Sequence, residues 1–197
     1  MRIADKFTLA RMIFAPIFFV IYQISDYFSE KNPSVSLYIL VFLVFALILA
    51  ELTDFFDGFF ARKRGEVSDA GKLFDPFADA LLHITTFFCF VSSNLMPPAA
   101  FILIFWREFS QMFLRMMSIK DGVAVAARFP GKLKTVIYIV SGFYALVMEI
   151  AVKMEFIPYG GGFFAILLRV LFWVCVVFAY VSFADYLVLF KNRINRV

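Results

Sequence analysis

Six apolar stretches, each of about the length a helix needs to cross a bilayer, dominate this chain of 197 residues. They run roughly from Thr8 to Tyr27, Val35 to Phe56, Leu73 to Leu95, Ala99 to Met117, Val136 to Val152 and Phe163 to Phe190. The hydrocarbon core of a membrane takes roughly 20 helical residues, which satisfy their backbone polar groups within the segment. The expected fold class is therefore all-α, a polytopic integral membrane protein with about six transmembrane helices. A hydrophobic content of 63% agrees, since soluble domains stay well below it. Pro16 lies inside the first stretch and is expected to kink it, while Pro97 with Pro98 and Gly160 through Gly162 mark turns between helices. No repeat, soluble domain or low-complexity linker interrupts the pattern, so residues 1–197 read as a single membrane domain.

Lysine and arginine set the orientation. Arg2, Lys6 and Arg11, then Arg62, Lys63, Arg64 and Lys72, then Arg115, Lys120, Arg128, Lys132 and Lys134, and finally Lys191, Arg193 and Arg196 fall at or near one side. Lys31 and Lys153 stand on the other, with Arg107 and Arg169 inside spans. The positive-inside bias puts both termini and the segment from Asp54 to Asp79 on the cytoplasmic side of the cell inner membrane. The net charge of +4 clusters at membrane edges, which anionic headgroups explain better than nucleic acid, and no nucleic-acid module is visible. The first stretch is long, contains Pro16 and lacks a small-residue cleavage pattern, so it reads as a retained helix. Cys89 and Cys175 lie inside spans without metal-ligand spacing and are assigned to packing. The 29 phenylalanines spread over every span and read as filling between helices and toward lipid.

Against this background stands a fixed string of polar and small residues, D-x-x-D-G-x-x-A-R-x8-G-x-x-x-D-x-x-x-D, formed by Asp54, Asp57, Gly58, Ala61, Arg62, Gly71, Asp75 and Asp79. Asp54 and Asp57 are three residues apart and Asp75 and Asp79 four, so each pair projects from one helix face. A short polar link from Arg62 to Lys72 folds the second helix back beside the first, so that the pairs face each other across a helical hairpin. Four carboxylates this close repel one another unless a cation joins them, and all-oxygen donors suit Mg²⁺ or Mn²⁺ rather than zinc. Gly58 and Ala61 allow close approach to the backbone, and the Arg62 guanidinium offers a fork of donors to phosphate. Taken singly, Asp54, Asp57 and Arg62 are also what an interfacial helix end carries. Taken together at this spacing, in a membrane segment, they point to a metal and phosphate site. His83, the single histidine, lies one turn beyond Asp79 and reads mainly as a structural residue facing a neighbouring helix.

The string resembles the signature of the CDP-alcohol phosphotransferase family, integral membrane enzymes that make phospholipids, with all eight positions present. The resemblance implies that Asp54, Asp57, Asp75 and Asp79 hold divalent metal. It implies that Asp57, Gly58, Ala61 and Arg62, with Gly71, bind the CDP part of the donor, that Asp79 serves as general base, and that the protein is a homodimer.

A second block runs from Arg107 to Thr135. Arg107 and Glu108 lie within a span, where each needs a partner or a polar cavity. Arg115, eight residues after Arg107, shares its helical face, and Lys132 and Lys134 are expected in a short loop entering the fifth helix. Arg107, Arg115, Lys132 and Lys134 together predict an anion pocket beside the aspartates, suited to an acceptor that carries phosphate. Lys120 and Arg128 are read as positive-inside anchors. R-E at Arg107, L-R at Leu114, G-K-L-K-T at Gly131 and T-L-A-R at Thr8 are similar to the bacterial phosphatidylglycerophosphate synthase branch of the family, from which Tyr138, Ala80 and Asp5 depart. That likeness implies transfer of a phosphatidyl group from CDP-diacylglycerol to sn-glycerol 3-phosphate. The alternatives are an inositol phosphate or serine acceptor, a CDP-choline or CDP-ethanolamine donor, and, outside the family, a non-catalytic membrane scaffold or an ion transporter with the acidic cluster as its path.

Overall fold

The computed structural model describes residues 3–64, 69–120, 129–158 and 162–194, with side chains described over 7–53, 74–118, 129–158 and 162–191. Six helices make up the described chain: α1 (Ile3–Lys31), α2 (Pro33–Arg64), α3 (Asp69–Ser92), α4 (Pro98–Lys120), α5 (Phe129–Lys153) and α6 (Gly162–Ile194). Five of them are long and apolar enough to cross a membrane. α4 falls short by composition because Arg107, Glu108 and Arg115 lie within it. The burial of Arg107 and Glu108 explains how that helix still belongs to the bundle.

The turns form where the local chemistry permits. Asn32 separates α1 from α2, its Oδ1 accepting from the Val35 N–H at 3.4 Å, and Pro33 opens α2 where a missing N–H is harmless. α3 ends as Asn94 turns left-handed (φ 56°), and the N–H groups of Leu95 and Met96 both donate to the Phe90 carbonyl. Pro98 then opens α4. At the end of α5, Glu155 adopts φ 60° and the Phe156 N–H closes on Ala151 at 3.0 Å. Pro16 lies within α1, which is helical on both sides of it.

Two helix boundaries differ from the expectation. α2 continues past Phe56 to Arg64 and α3 begins at Asp69, so most of the expected Arg62–Lys72 link is helical. α5 begins at Phe129, which puts Lys132 and Lys134 inside its first turns and not in a loop. The physical reason lies on a neighbouring helix: Glu108 of α4 receives the Lys134 ammonium, so this charge is accommodated inside the bundle.

α1 packs on α2 and α3, α6 on α4 and α5, and α3 joins the two groups through α4 and α5. Aromatic rings fill the centre, with Phe87 and Phe90 of α3 meeting Phe172 of α6 at 5.5 and 6.2 Å between centroids. Tyr22 of α1 stands edge-on to Phe90. Fully buried alanines at 15, 78, 100, 145 and 179 let helices approach closely, which is how packing is gained where lipid is as apolar as the side chains. The outer faces carry exposed Phe45, Phe109, Trp173 and Val181, as lipid-facing surfaces do. Cys89 and Cys175 are fully buried, in accord with a packing role.

Candidate active site

Asp75 and Asp79 stand one turn apart on α3 and meet the N-terminal helix. The Thr8 hydroxyl donates to Asp75 Oδ1, and the Arg11 guanidinium bonds Asp79 Oδ1 while its second terminal nitrogen lies 3.9 Å from Asp75 Oδ1. Thr8 and Arg11 are themselves buried, so α1 holds both carboxylates in place. Asp54, Asp57, Gly58, Ala61 and Arg62 lie on the last turns of α2 and Gly71 on the first turn of α3, their side chains outside the described residues. The expected facing of the two aspartate pairs therefore falls outside the description. Among the described residues no three acidic, histidine or cysteine side chains converge as a metal site. The two described carboxylates still fit a hard divalent cation in donor chemistry, being oxygen ligands on one face of one helix.

Asp79 also borders a cavity of about 170 Å³ enclosed by α3, α4, α5 and α6. Arg107, Arg115 and Lys134 line it, together with His83, Gln111 and Asp185, while Lys132 is exposed and does not. Three of the four cations expected around an acceptor phosphate are thus brought beside Asp79. The cavity is of mixed charge, because Glu108 and Asp185 line it as well.

Glu108 organises this region. Its Oε1 accepts from Lys134 Nζ at 2.6 Å and from the Tyr138 hydroxyl at 3.1 Å, and forms an ion pair with Arg107 Nη1 at 2.8 Å. Arg107 reaches on to α6, donating from Nε to the Ala179 carbonyl at 2.9 Å and from Nη2 to Ser182 Oγ at 3.1 Å. All three of its nitrogens are engaged, so Arg107 ties α4 to α6 and to Glu108. Lys134 also sits 4.7 Å from the Tyr138 ring centre. On the adjoining face of α4, Gln111 Oε1 and Arg115 Nε are buried with no hydrogen-bond partner among the described residues.

His83 lies between the two halves of the site. Its Nδ1 donates to the Asp79 carbonyl at 2.8 Å, its Nε2 is 3.6 Å from Glu51 Oε1 on α2, and its ring stands edge-on to Tyr138. On the far side of α3 an apolar groove of about 600 Å³ runs between α1, α3 and α4, from Met12 beside Arg11 to Phe101.

In the sequence Thr8 and Arg11 belong to a motif, and Arg11 also to the orienting cations, but no spacing rule connects them to aspartates more than sixty positions away. Glu108 carried a signal of its own, being a charge in mid-span that requires partners. Gln111 carries no signal beyond polarity within an apolar helix, and Tyr138 only its departure from the branch to which the chain is similar.

An all-helical bundle with five helices of membrane-spanning length, in which Asp79 borders a polar cavity, fits an integral membrane enzyme. This chain belongs to the CDP-alcohol phosphatidyltransferase family, whose model matches residues 1–181. It is similar to the CDP-diacylglycerol--glycerol-3-phosphate 3-phosphatidyltransferase of Treponema pallidum, 36% identical over 100% of this chain and 93% of the relative. The proteins of the same name from Bacillus subtilis, 31% identical over 94% and 93%, and Aquifex aeolicus, 28% identical over 94% of both, are similar along nearly their whole lengths.

Proposed function

We propose that this chain works in phospholipid biosynthesis, transferring a phosphatidyl group from CDP-diacylglycerol to sn-glycerol 3-phosphate to give phosphatidylglycerophosphate and CMP. The observation that carries the reading is the cavity in which Asp79 shares a wall with Arg115 and Lys134, in a chain similar end to end to relatives named for this transfer.

In this mechanism the acceptor phosphate lies against Arg115 and Lys134. Arg107 contributes positive potential while holding Glu108 and α6, and Lys132 serves at the cytoplasmic rim. The acceptor's primary hydroxyl is then directed toward Asp79. Its oxygen attacks the phosphatidyl phosphorus, its proton passes to the Asp79 carboxylate, and the bond to the CMP phosphate breaks with the electron pair leaving on CMP. Arg11 and Thr8 keep Asp79 and Asp75 oriented through these events. Asp54, Asp57, Asp75 and Asp79 would hold Mg²⁺ or Mn²⁺, which when bound neutralises the donor pyrophosphate. Asp57, Gly58, Ala61, Arg62 and Gly71 would receive the CDP group. The groove from Met12 to Phe101 has the chemistry for one acyl chain of the donor.

The distribution of lysine and arginine supports a site facing the cytoplasm of the inner membrane, and a homodimer is what the family resemblance implies. Transfer of radiolabel from CDP-diacylglycerol to a panel of alcohols by purified protein tests the reading. Glycerol 3-phosphate should outperform serine, inositol phosphate and choline-type acceptors; a reversal of that order overturns the acceptor assignment. Excess EDTA should abolish transfer and Mg²⁺ or Mn²⁺, but not Zn²⁺, restore it; full turnover in EDTA removes the metal from the scheme.

A further inference from the structure

Gln111 is polar, almost fully buried in a membrane helix, and used by nothing in the mechanism above. Its carboxamide oxygen has no hydrogen-bond partner among the described residues, and neither has Nε of Arg115, one turn further along the same face of α4. Both side chains line the cavity that Asp79 and Lys134 border. A buried acceptor and a buried donor left open side by side are unfavourable unless something entering the cavity satisfies them.

A molecule that does so brings an anionic oxygen for Arg115 and, close by, a group able to hydrogen-bond an amide. A hydroxyl suits Gln111 whichever way the carboxamide is turned, because it both donates and accepts. On the reading of the cavity as the acceptor site, the phosphate and the attacking primary hydroxyl of glycerol 3-phosphate are already assigned, to Arg115 with Lys134 and to Asp79. The secondary hydroxyl between them is the group left over. We propose that Gln111 recognises the C2 hydroxyl of the acceptor, making it a specificity-determining residue for three-carbon phosphorylated diols.

A site built to hydrogen-bond a hydroxyl rejects an analogue lacking it, since its own polar group is then buried unpaired. Steady-state kcat/KM should be compared for sn-glycerol 3-phosphate and 1,3-propanediol monophosphate, which keeps the phosphate and the primary hydroxyl but lacks the C2 hydroxyl. Wild type should favour glycerol 3-phosphate by roughly ten-fold or more. Gln111→Met, close in length and flexibility, should lose about ten-fold on glycerol 3-phosphate while changing little on the deoxy analogue, so the preference collapses toward one. A merely structural or water-holding amide predicts an equal fall on both acceptors, and that result overturns the proposal. Wild-type selectivity needs no variant to fold: active transfer to glycerol 3-phosphate with no preference over the analogue also sinks it, leaving the proposed function standing. Absence of transfer to glycerol 3-phosphate by wild type instead removes the proposed function on which the inference rests.

Discussion

At one end of α5, Lys134 and Tyr138 meet Glu108; about 22 Å further along the same helix, at 1.5 Å per residue, Glu149 and Lys153 meet Tyr22 of α1 and Ser36 of α2. In the second cluster the Tyr22 hydroxyl bonds both Glu149 and Ser93, Lys153 Nζ donates to Ser36 Oγ at 2.8 Å, and Ser36 exchanges hydrogen bonds with Ser25. None of these side chains is left with an unpaired buried polar atom. The first cluster is also tied across helices, yet it encloses a cavity and leaves Gln111 and Arg115 open. Buried charge alone therefore does not mark a site in this bundle. The distinguishing property is polar capacity left over beside a space that a substrate can enter.

The sharpest challenge to this contrast is Glu108→Ala. It strands Arg107 and Lys134 inside the bundle without their shared carboxylate, and loss of about 3–5 kcal/mol of stability is expected, read as a large fall in the thermal unfolding midpoint in detergent. A variant as stable as wild type would show that the two cations find other partners and that Glu108 is not the organiser.

Next in size is Asp79→Asn. It should lower kcat by at least ~100-fold with a smaller change in donor KM, as removal of a general base does. Near-normal turnover would move the base elsewhere and leave Asp79 a binding residue.

Arg115→Ala should raise the acceptor KM about ten-fold or more, the effect of losing a charge-assisted hydrogen bond of roughly 1.5–3 kcal/mol, with the donor KM nearly unchanged. If the donor KM rises instead, the cavity belongs to the CDP-lipid and the acceptor lies elsewhere.

The smallest effect belongs to the closed cluster. Tyr22→Phe removes the bonds to Glu149 and Ser93 and should cost about 1–2 kcal/mol of stability while leaving kcat and both KM values of the folded protein unchanged. A kinetic defect at full stability would mean that the two ends of α5 communicate, and the comparison would fail.

The aspartate string was legible because its spacing is local: the i, i+4 relation between Asp75 and Asp79 follows from helix geometry once the segment is known to be helical. Arg107 is legible for a different reason, since charge within an apolar helix must be compensated, Arg115 because it shares the same helical face, and Lys134 through its clustering with other cations; all three line the cavity. Lys132 shared that composition and turned out to be exposed, because composition does not say which face of α5 a residue occupies. Tyr138, where the sequence departs from the branch it resembles, donates to Glu108 beside Lys134.

What the sequence determined by itself is the class of the molecule and the local pattern of its chemistry. Both rest on short-range physics: the length of apolar runs against bilayer thickness, the angular period of a helix, and the preference of carboxylate oxygen for hard cations. Tertiary structure alone decided that Thr8 and Arg11 of α1 grip the aspartates of α3, that Glu108 collects donors from its own helix and from α5, and that Gln111 is left without a partner beside the cavity. These contacts join residues on different helices, or leave one open among them, and their register is set by how side chains of unlike size interlock across the bundle.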